Sequence, residues 1–165
     1  MAAAPATSSG KATVTLPADD QILITREFDA TAHLVYRAVT EPELVRRWWS
    51  GKRGEMTVCE IDLRVGGKWR YAMTADSSGA EVAFYGEYRE IVPNERIVNT
   101  EVFAPFPDDG ALNTMTLTER DGRTTLTTLV QHSTPQARDM HINSGMEGGM
   151  NESFDKLEQV AKSLR

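Results

Sequence analysis

The C-terminal stretch of the chain, residues 134–165, constrains the fold more than any other segment. Its apolar residues recur at the three- and four-residue spacing of an amphipathic helix, so that Met146, Met150 and Leu157 share one face and charged residues occupy the other. Thr134-Pro135 suits a helix start, since threonine can cap the first free amides and proline is tolerated at the first helical position. The sequence therefore predicts one long helix from Thr134 to Arg165, whose apolar face must pack against another part of the chain.

Three glycines interrupt this helical pattern at positions where glycine is unfavourable. Gly145, Gly148 and Gly149 should each cost roughly 1 kcal/mol relative to alanine in a helix interior. Gly149 falls on the apolar face, where the missing side chain would let a facing strand or a ligand approach the helix backbone. Both explanations of Gly149 remain open from the sequence.

The chain before this helix consists mainly of strand patterns separated by turn residues. Asp121-Gly122 is a strong hairpin signal, and two short helical patterns follow the first strand. Runs of strands joined by hairpins favour an antiparallel sheet. We therefore predict an α+β fold in which a curved antiparallel sheet of about six or seven strands wraps around the C-terminal helix. The predicted strands are Gln21–Phe28, Met56–Val65, Lys68–Thr74, Val82–Val92, Arg96–Phe103, Ala111–Arg120 and Thr124–Gln131.

Length and composition indicate one domain and exclude several classes of protein. The chain has 165 residues, of which 40% are hydrophobic and 25% charged, as in ordinary globular proteins. Residues 1–19, rich in Ala, Ser, Thr and Pro, are predicted to be a flexible tail, and residues 20–165 a single domain. The formal charge of −6 argues against nucleic-acid and anionic-membrane partners. Cys59 is the only cysteine, so no intrachain disulfide can form, which fits a cytoplasmic protein.

No residue pattern indicates a metal, a cofactor or a dedicated catalytic group. The three histidines, His33, His132 and His141, form no metal-ligand spacing with one another or with Cys59. Nucleophile-elbow and phosphate-loop motifs do not occur. Four acidic residues on strands could act as a general base if they pointed inward, but we expect solvated or arginine-paired carboxylates. They are Glu60, Asp62, Glu87 and Glu90.

Methionine and aromatic residues suggest an apolar cavity between the sheet and the last helix. Methionine is unbranched and adaptable, and it recurs at surfaces that accept several ligand shapes. A plainly packed core would use the same residue types, so both interpretations stay open. The candidate lining residues are Trp49, Met56, Tyr71, Met73, Phe84, Tyr88, Phe103, Met115, Met146, Gly149, Met150 and Phe154.

Four short motifs occur in the order found in one known family. They are residues 62–70 (DLRVGGKWR), Trp48-Trp49 after 42–44, residues 93–98 (PNERIV), and residues 145–150 (GMEGGM) followed by Leu157. Together they resemble the family related to the C-terminal domain of the activator of the heat-shock-protein-90 ATPase. This resemblance, which spans about Ile22 to Leu164, implies the helix-grip fold of the START-like, polyketide-cyclase and lipid-transport superfamily.

The resemblance implies three kinds of function, because members of that superfamily differ in what they do. We expect the chain to bind a small hydrophobic or amphipathic molecule in a cavity under the C-terminal helix. The first alternative is a cyclase, hydrolase or isomerase that uses the same cavity with an inward Glu, Tyr or His as acid–base group. The second is a stress-response protein that contacts a chaperone, or a second copy of the chain, through its outer surface.

Overall fold

The structure is a computed structural model that describes residues 11–165. Eight strands and four helices follow one another in an α+β arrangement. The elements are β1 (Thr13–Thr15), β2 (Gln21–Phe28), α1 (Ala32–Thr40), α2 (Pro42–Val45), β3 (Gly54–Ile61), β4 (Lys68–Ala75), β5 (Glu81–Val92), β6 (Arg96–Phe103), β7 (Ala111–Arg120), β8 (Arg123–His132), α3 (Pro135–Ile142) and α4 (Met146–Ser163).

All eight strands form one antiparallel sheet with the order β1-β2-β8-β7-β6-β5-β4-β3. Consecutive hairpins account for every pair except β2–β8, which joins the start of the chain to the last strand, with Ile22 opposite Val130. The sheet carries helices on one face, as in the predicted helix-grip fold. Two short helices follow strand β2, as the sequence predicts.

The sheet has one strand more than the sequence predicts, because β1 lies within residues 1–19, which were predicted to be a tail. That prediction is wrong for Thr13–Thr15, which pair with the edge of β2. Thr-Val-Thr is β-branched and suits a strand, but three residues are too few to show a period. The part of the prediction that concerns residues 1–10 lies outside the described residues.

The predicted C-terminal helix is two helices, so the prediction of one continuous helix is wrong. Thr134 caps α3 as expected, with its side chain accepting a hydrogen bond from the Ala137 amide at 3.0 Å. Residues 143–145 separate the two helices, and the φ of 84° at Gly145 lies in the left-handed region that an α-helix cannot contain. Helix α4 begins at the next residue, so Gly145 carries no helix-interior penalty.

The apolar face predicted for the last helix does meet the sheet. Leu157, Val160 and Ala161 of α4 are buried against Phe28 and the α1 helix. The Phe28 and Phe154 rings pack edge to face, with centroids 5.6 Å apart. No helix among residues 11–165 is long and apolar enough to cross a membrane.

One charged residue, Arg26, lies within this otherwise apolar contact between β2 and α4. It is 3% exposed, although its neighbours on the same strand face are aliphatic or aromatic. Its guanidinium contacts Asp155 Oδ1 at 2.9 Å and Glu158 Oε1 at 3.4 Å, and lies 5.0 Å from the centre of the Phe28 ring. An ion pair therefore fixes the position of α4 across the sheet.

Two histidines from separate elements meet where β8 leads into α3. His132 Nε2 and His141 Nδ1 lie 2.9 Å apart, so one ring donates a hydrogen bond to the other. Burial lowers the pKa of both, that of His141 to about 4, because the charged imidazolium would lose hydration and meet a second ring. Arg138 also lowers the pKa of His132, whereas Asp109 and Asp20 raise it.

This histidine pair should make the fold sensitive to mild acid. An unfolded chain binds a proton at His141 below pH 6.5 and the folded chain only near pH 4, so stability present above pH 6.5 is lost as the pH falls. We expect the free energy of unfolding to fall by about 1–2 kcal/mol across this window. This is less than the whole pKa shift would give, because the ring is not fully buried. Chemical denaturation at several pH values would measure it.

A matched pair of variants isolates this effect. His141→Asn keeps an acceptor for His132 and should flatten the pH dependence, whereas the same change at His33, which is exposed on α1, should leave it unaltered. An unchanged pH profile in His141→Asn would contradict the assignment.

Candidate functional site

A cavity of about 200 Å³ lies between the sheet and α4 and is the best candidate site. Strands β4, β5, β6, β7 and β8 supply one wall, because alternate residues of each strand point to the helix-bearing face. Phe154 and Leu157 of α4 supply another. Six aromatic side chains dominate the lining, namely Trp48, Trp49, Trp69, Tyr71, Tyr88 and Phe154.

The cavity also has a polar side, formed by the neighbouring strands β6, β7 and β8. Asn99, Glu101, Asn113 and Thr128 line it. The Asn113 amide donates a hydrogen bond to Glu101 Oε1 at 2.7 Å, and Asn113 Oδ1 is buried without a hydrogen-bond partner among the described residues. The cavity is therefore amphipathic rather than uniformly apolar.

Burial changes the proton affinity of the groups in the cavity. Desolvation raises the pKa of Glu101 above its usual range, and the Asn113 hydrogen bond only partly opposes this effect. Burial also raises the pKa of Tyr71 and Tyr88, so both phenols keep their protons near neutral pH. The site therefore holds one carboxyl group that can accept or donate a proton. Its two phenols stay neutral and can only form hydrogen bonds, as donors or acceptors.

A row of aromatic rings connects the cavity with the protein surface. Trp49 packs against Tyr71 and Phe84, with ring centroids 5.4 and 5.8 Å apart. Phe84 then contacts Phe103 at 5.0 Å, and Phe103 contacts Phe106 at 5.9 Å. Phe103 and Phe106 are exposed, at 36% and 43%. The row therefore offers an apolar approach from water to the cavity.

The loop after α2 closes the cavity on the side of α4. Ser153 donates a hydrogen bond to the Trp49 carbonyl at 2.8 Å, and Lys156 donates one to the Gly51 carbonyl at 2.7 Å. Arg53 pairs with Glu152 at 3.1 Å. These polar contacts hold Trp49 against the cavity from the helix side.

A second, wider depression of about 440 Å³ lies on the opposite face of the sheet. Its rim is formed by outward-pointing side chains such as Lys68, Arg70 and Glu87. These charged groups are hydrated, so they offer a ligand little beyond what water offers. We assign the candidate site to the smaller cavity, where polar groups are withdrawn from water.

The family model described as "Activator of Hsp90 ATPase homolog 1-like protein" matches residues 29–162. The chain belongs to this family. The match begins at the residue after β2 and ends within α4, so it includes every residue that lines the cavity. The resemblance seen in the four sequence motifs is confirmed. No match is found among curated proteins.

Solved structures share the fold of this family member over nearly their whole length. A protein from Rhodobacter sphaeroides is 25% identical with a TM-score of 0.85, covering 93% of this chain and 99% of its own. Protein NE0264 from Nitrosomonas europaea is 26% identical with a TM-score of 0.79, covering 90% and 97%. Protein CV1439 from Chromobacterium violaceum is 28% identical with a TM-score of 0.73, covering 85% and 96%. These likenesses support the START-like helix-grip fold.

The structure brings together five of the twelve residues that the sequence nominated for the cavity. These residues come from the α2–β3 loop, three strands and α4, so only the tertiary fold makes them neighbours. They are Trp49, Tyr71, Tyr88, Met115 and Phe154.

The other seven nominated residues lie elsewhere in this family member. Met56 is buried with Val45 and Cys59 under the edge of the sheet, and Met73 is opposite it on β4. Phe84 and Phe103 belong to the aromatic row outside the cavity. The last three lie near the start of α4: Met146 and Met150 pack on a separate cluster around Ile22, and Gly149 faces Arg53.

Neither explanation proposed for Gly149 is correct. A methyl group built there would meet the Arg53 guanidinium at 3.7 Å, not a strand backbone and not the cavity. At Gly148 it would meet the end of the same side chain at 2.9 Å. Gly148 thus leaves room for Arg53 to lie along α4 and reach Glu152, whereas at Gly149 the distance is an ordinary van der Waals contact.

The polar residues of the cavity were missed by sequence reasoning, which considered other carboxylates. Three of those carboxylates form exposed ion pairs with nearby arginines, as expected: Asp62 with Arg64, Glu87 with Arg89, and Glu90 with Arg96. Glu60 is exposed on β3.

The signal for the missed residues was strand alternation in β6. Ile97 is buried, and Asn99 and Glu101 follow it at two-residue spacing, which places all three on the same face of the strand.

Proposed function

We propose that this protein binds a small amphipathic molecule in the cavity between the sheet and α4. The observation that carries the proposal is the amphipathic lining, in which aromatic walls surround the Glu101 and Asn113 side chains. Ligand sites in proteins commonly combine apolar walls with a few convergent polar groups. At about 200 Å³ the cavity suits a compact ligand.

An enzyme that uses the same cavity is the second candidate, and Glu101 is the observation that favours it. A carboxyl group whose pKa is raised by burial is better suited to act as a general acid or base than an exposed one. No second group within the described residues is placed as a nucleophile or a base partner, so binding remains our first proposal. A chaperone partner and a cytoplasmic location stay predictions from the sequence.

The tryptophans provide a direct test of ligand binding. The chain has three, Trp48, Trp49 and Trp69, and all three line the cavity. Titration with 2-phenylethanol, a compact molecule with an apolar ring and one hydroxyl group, should therefore produce a saturable change in tryptophan emission. Native mass spectrometry of protein purified from its own host should show a retained small molecule.

Two neighbouring threonines give a matched pair of variants for this experiment. Thr128 lines the cavity, whereas Thr127 points to the opposite face of β8. Thr128→Phe should fill the cavity and abolish the saturable emission change, while Thr127→Phe should preserve it. If the wild type gives no saturable response and retains no molecule, or if both variants bind equally, the proposed function is refuted.

A further inference from the structure

The polar side of the cavity presents acceptors without matching donors. Glu101 receives one hydrogen bond, from Asn113, and in the described part of the chain its other carboxylate oxygen has none. Asn113 Oδ1 is buried beside it, also without a partner there. Because a buried polar atom is rarely left unpaired, Asn113 Oδ1 indicates a place for a hydrogen-bond donor, and the open Glu101 oxygen lies next to that place.

The Glu101 carboxylate also lacks a cation partner, unlike the buried Arg26. Arg26 is neutralised by two carboxylates, and Glu87 and Glu90 of β5 pair with arginines. Within residues 11–165, no lysine, arginine or histidine forms an ion pair with Glu101. An ionised Glu101 would therefore gain from a cation brought by a ligand.

The rest of the lining suits a cation as well. Trp69, Tyr71 and Tyr88 surround the same cavity, and the faces of such rings attract ammonium groups. We propose that the ligand of this site is a small organic amine, whose ammonium group donates hydrogen bonds to Glu101 and Asn113 while its apolar body packs among the aromatic rings. This inference rests on the proposed binding function.

Other head groups fit this arrangement less well. A carboxylic acid or a ketone would bring further acceptors to a place that already holds two unpaired acceptors. An alcohol supplies a single donor, whereas an ammonium supplies three and forms charge-assisted bonds. An amine is also a stronger base than a carboxylate, so the proton stays on the ligand and the pair is ionic.

The test compares 2-phenylethylamine with 2-phenylethanol, which has the same ring and linker but a neutral head group. Tryptophan emission near neutral pH measures both dissociation constants. We expect the amine to bind about tenfold more tightly than the alcohol or better, as a charge-assisted hydrogen bond in a buried site implies. In Glu101→Gln, which keeps the acceptor for Asn113, this preference should disappear and the affinity for the alcohol should be retained.

A control variant separates this contact from the general attraction of a cation to a protein with net charge −6. Glu60→Gln removes one negative charge from the exposed side of the sheet and should leave the preference for the amine intact. Binding of the alcohol with no preference for the amine overturns the inference but not the proposed function. A preference that survives Glu101→Gln also overturns it. If neither molecule binds, the inference fails, and if protein purified from its own host also retains no small molecule, the proposed function fails with it.

Discussion

Replacing Arg26 by alanine is expected to lower the free energy of unfolding by about 3 kcal/mol. The guanidinium is almost fully buried between β2 and α4, where it contacts Asp155 and Glu158. Glu158 has only 15% of its side chain exposed and would keep a buried charge without its partner. Asp155 is 62% exposed and can be rehydrated, which keeps the expected loss near the lower end for broken buried ion pairs.

Urea denaturation of matched variants checks this prediction. Arg123 provides the control, because it pairs with Glu27 on the same sheet but both side chains are about one-third exposed. Arg123→Ala should therefore cost less than about 1 kcal/mol. Arg26→Met combined with Glu158→Gln should recover part of the stability, since the pair is then replaced without leaving a lone charge. An Arg26→Ala variant as stable as Arg123→Ala would show that the ion pair contributes nothing.

The antiparallel sheet and the buried helix face could be predicted from the sequence because both depend on simple periodicity. Alternating strands and hairpin turns specify an antiparallel sheet, and the spacing of Leu157, Val160 and Ala161 specifies which face of the helix it covers. The break before α4 could not be read in this way. Gly145 fits a helical period as well as its neighbours do, and its left-handed backbone angle, which precedes α4, leaves no trace in that period.

The cavity was harder to predict because its position depends on which apolar residues leave space rather than fill it. Met146 and Met150 have the same chemistry as Met115, yet they pack in a cluster with Ile22, while Met115 lines the cavity. Strand alternation could have placed Glu101 on the helix-bearing face of the sheet. Its contact with Asn113 on the next strand, however, depends on the register between β6 and β7. Pairing register is set by the assembled sheet and not by a local pattern.

The role of each glycine also depends on the assembled fold. Alanine substitutions should distinguish a glycine that close packing requires from one that could be replaced. Gly86 lies on β5 opposite Trp69, and a methyl group there would overlap the Thr100 carbonyl oxygen and lie 2.6 Å from Trp69 Nε1. That indole nitrogen donates a hydrogen bond to the same carbonyl at 3.1 Å. Gly86→Ala must therefore displace a strand or the ring, and it should cost about 3 kcal/mol, the upper range for overpacking.

Gly149→Ala is the matched comparison and should change stability in the opposite direction. Its methyl group would meet only the flexible Arg53 side chain at an ordinary contact distance of 3.7 Å, so the variant gains helix propensity of roughly 0.5–1 kcal/mol. Because Trp69 lines the cavity, Gly86→Ala should also shift tryptophan emission in the folded state, which Gly149→Ala should not do. Thermal melts and emission spectra of the two proteins measure both effects. A Gly86→Ala variant as stable as the wild type would mean that the Thr100 carbonyl can move away from β5 at little cost, and that the wall of the cavity beside Trp69 is not fixed by close packing.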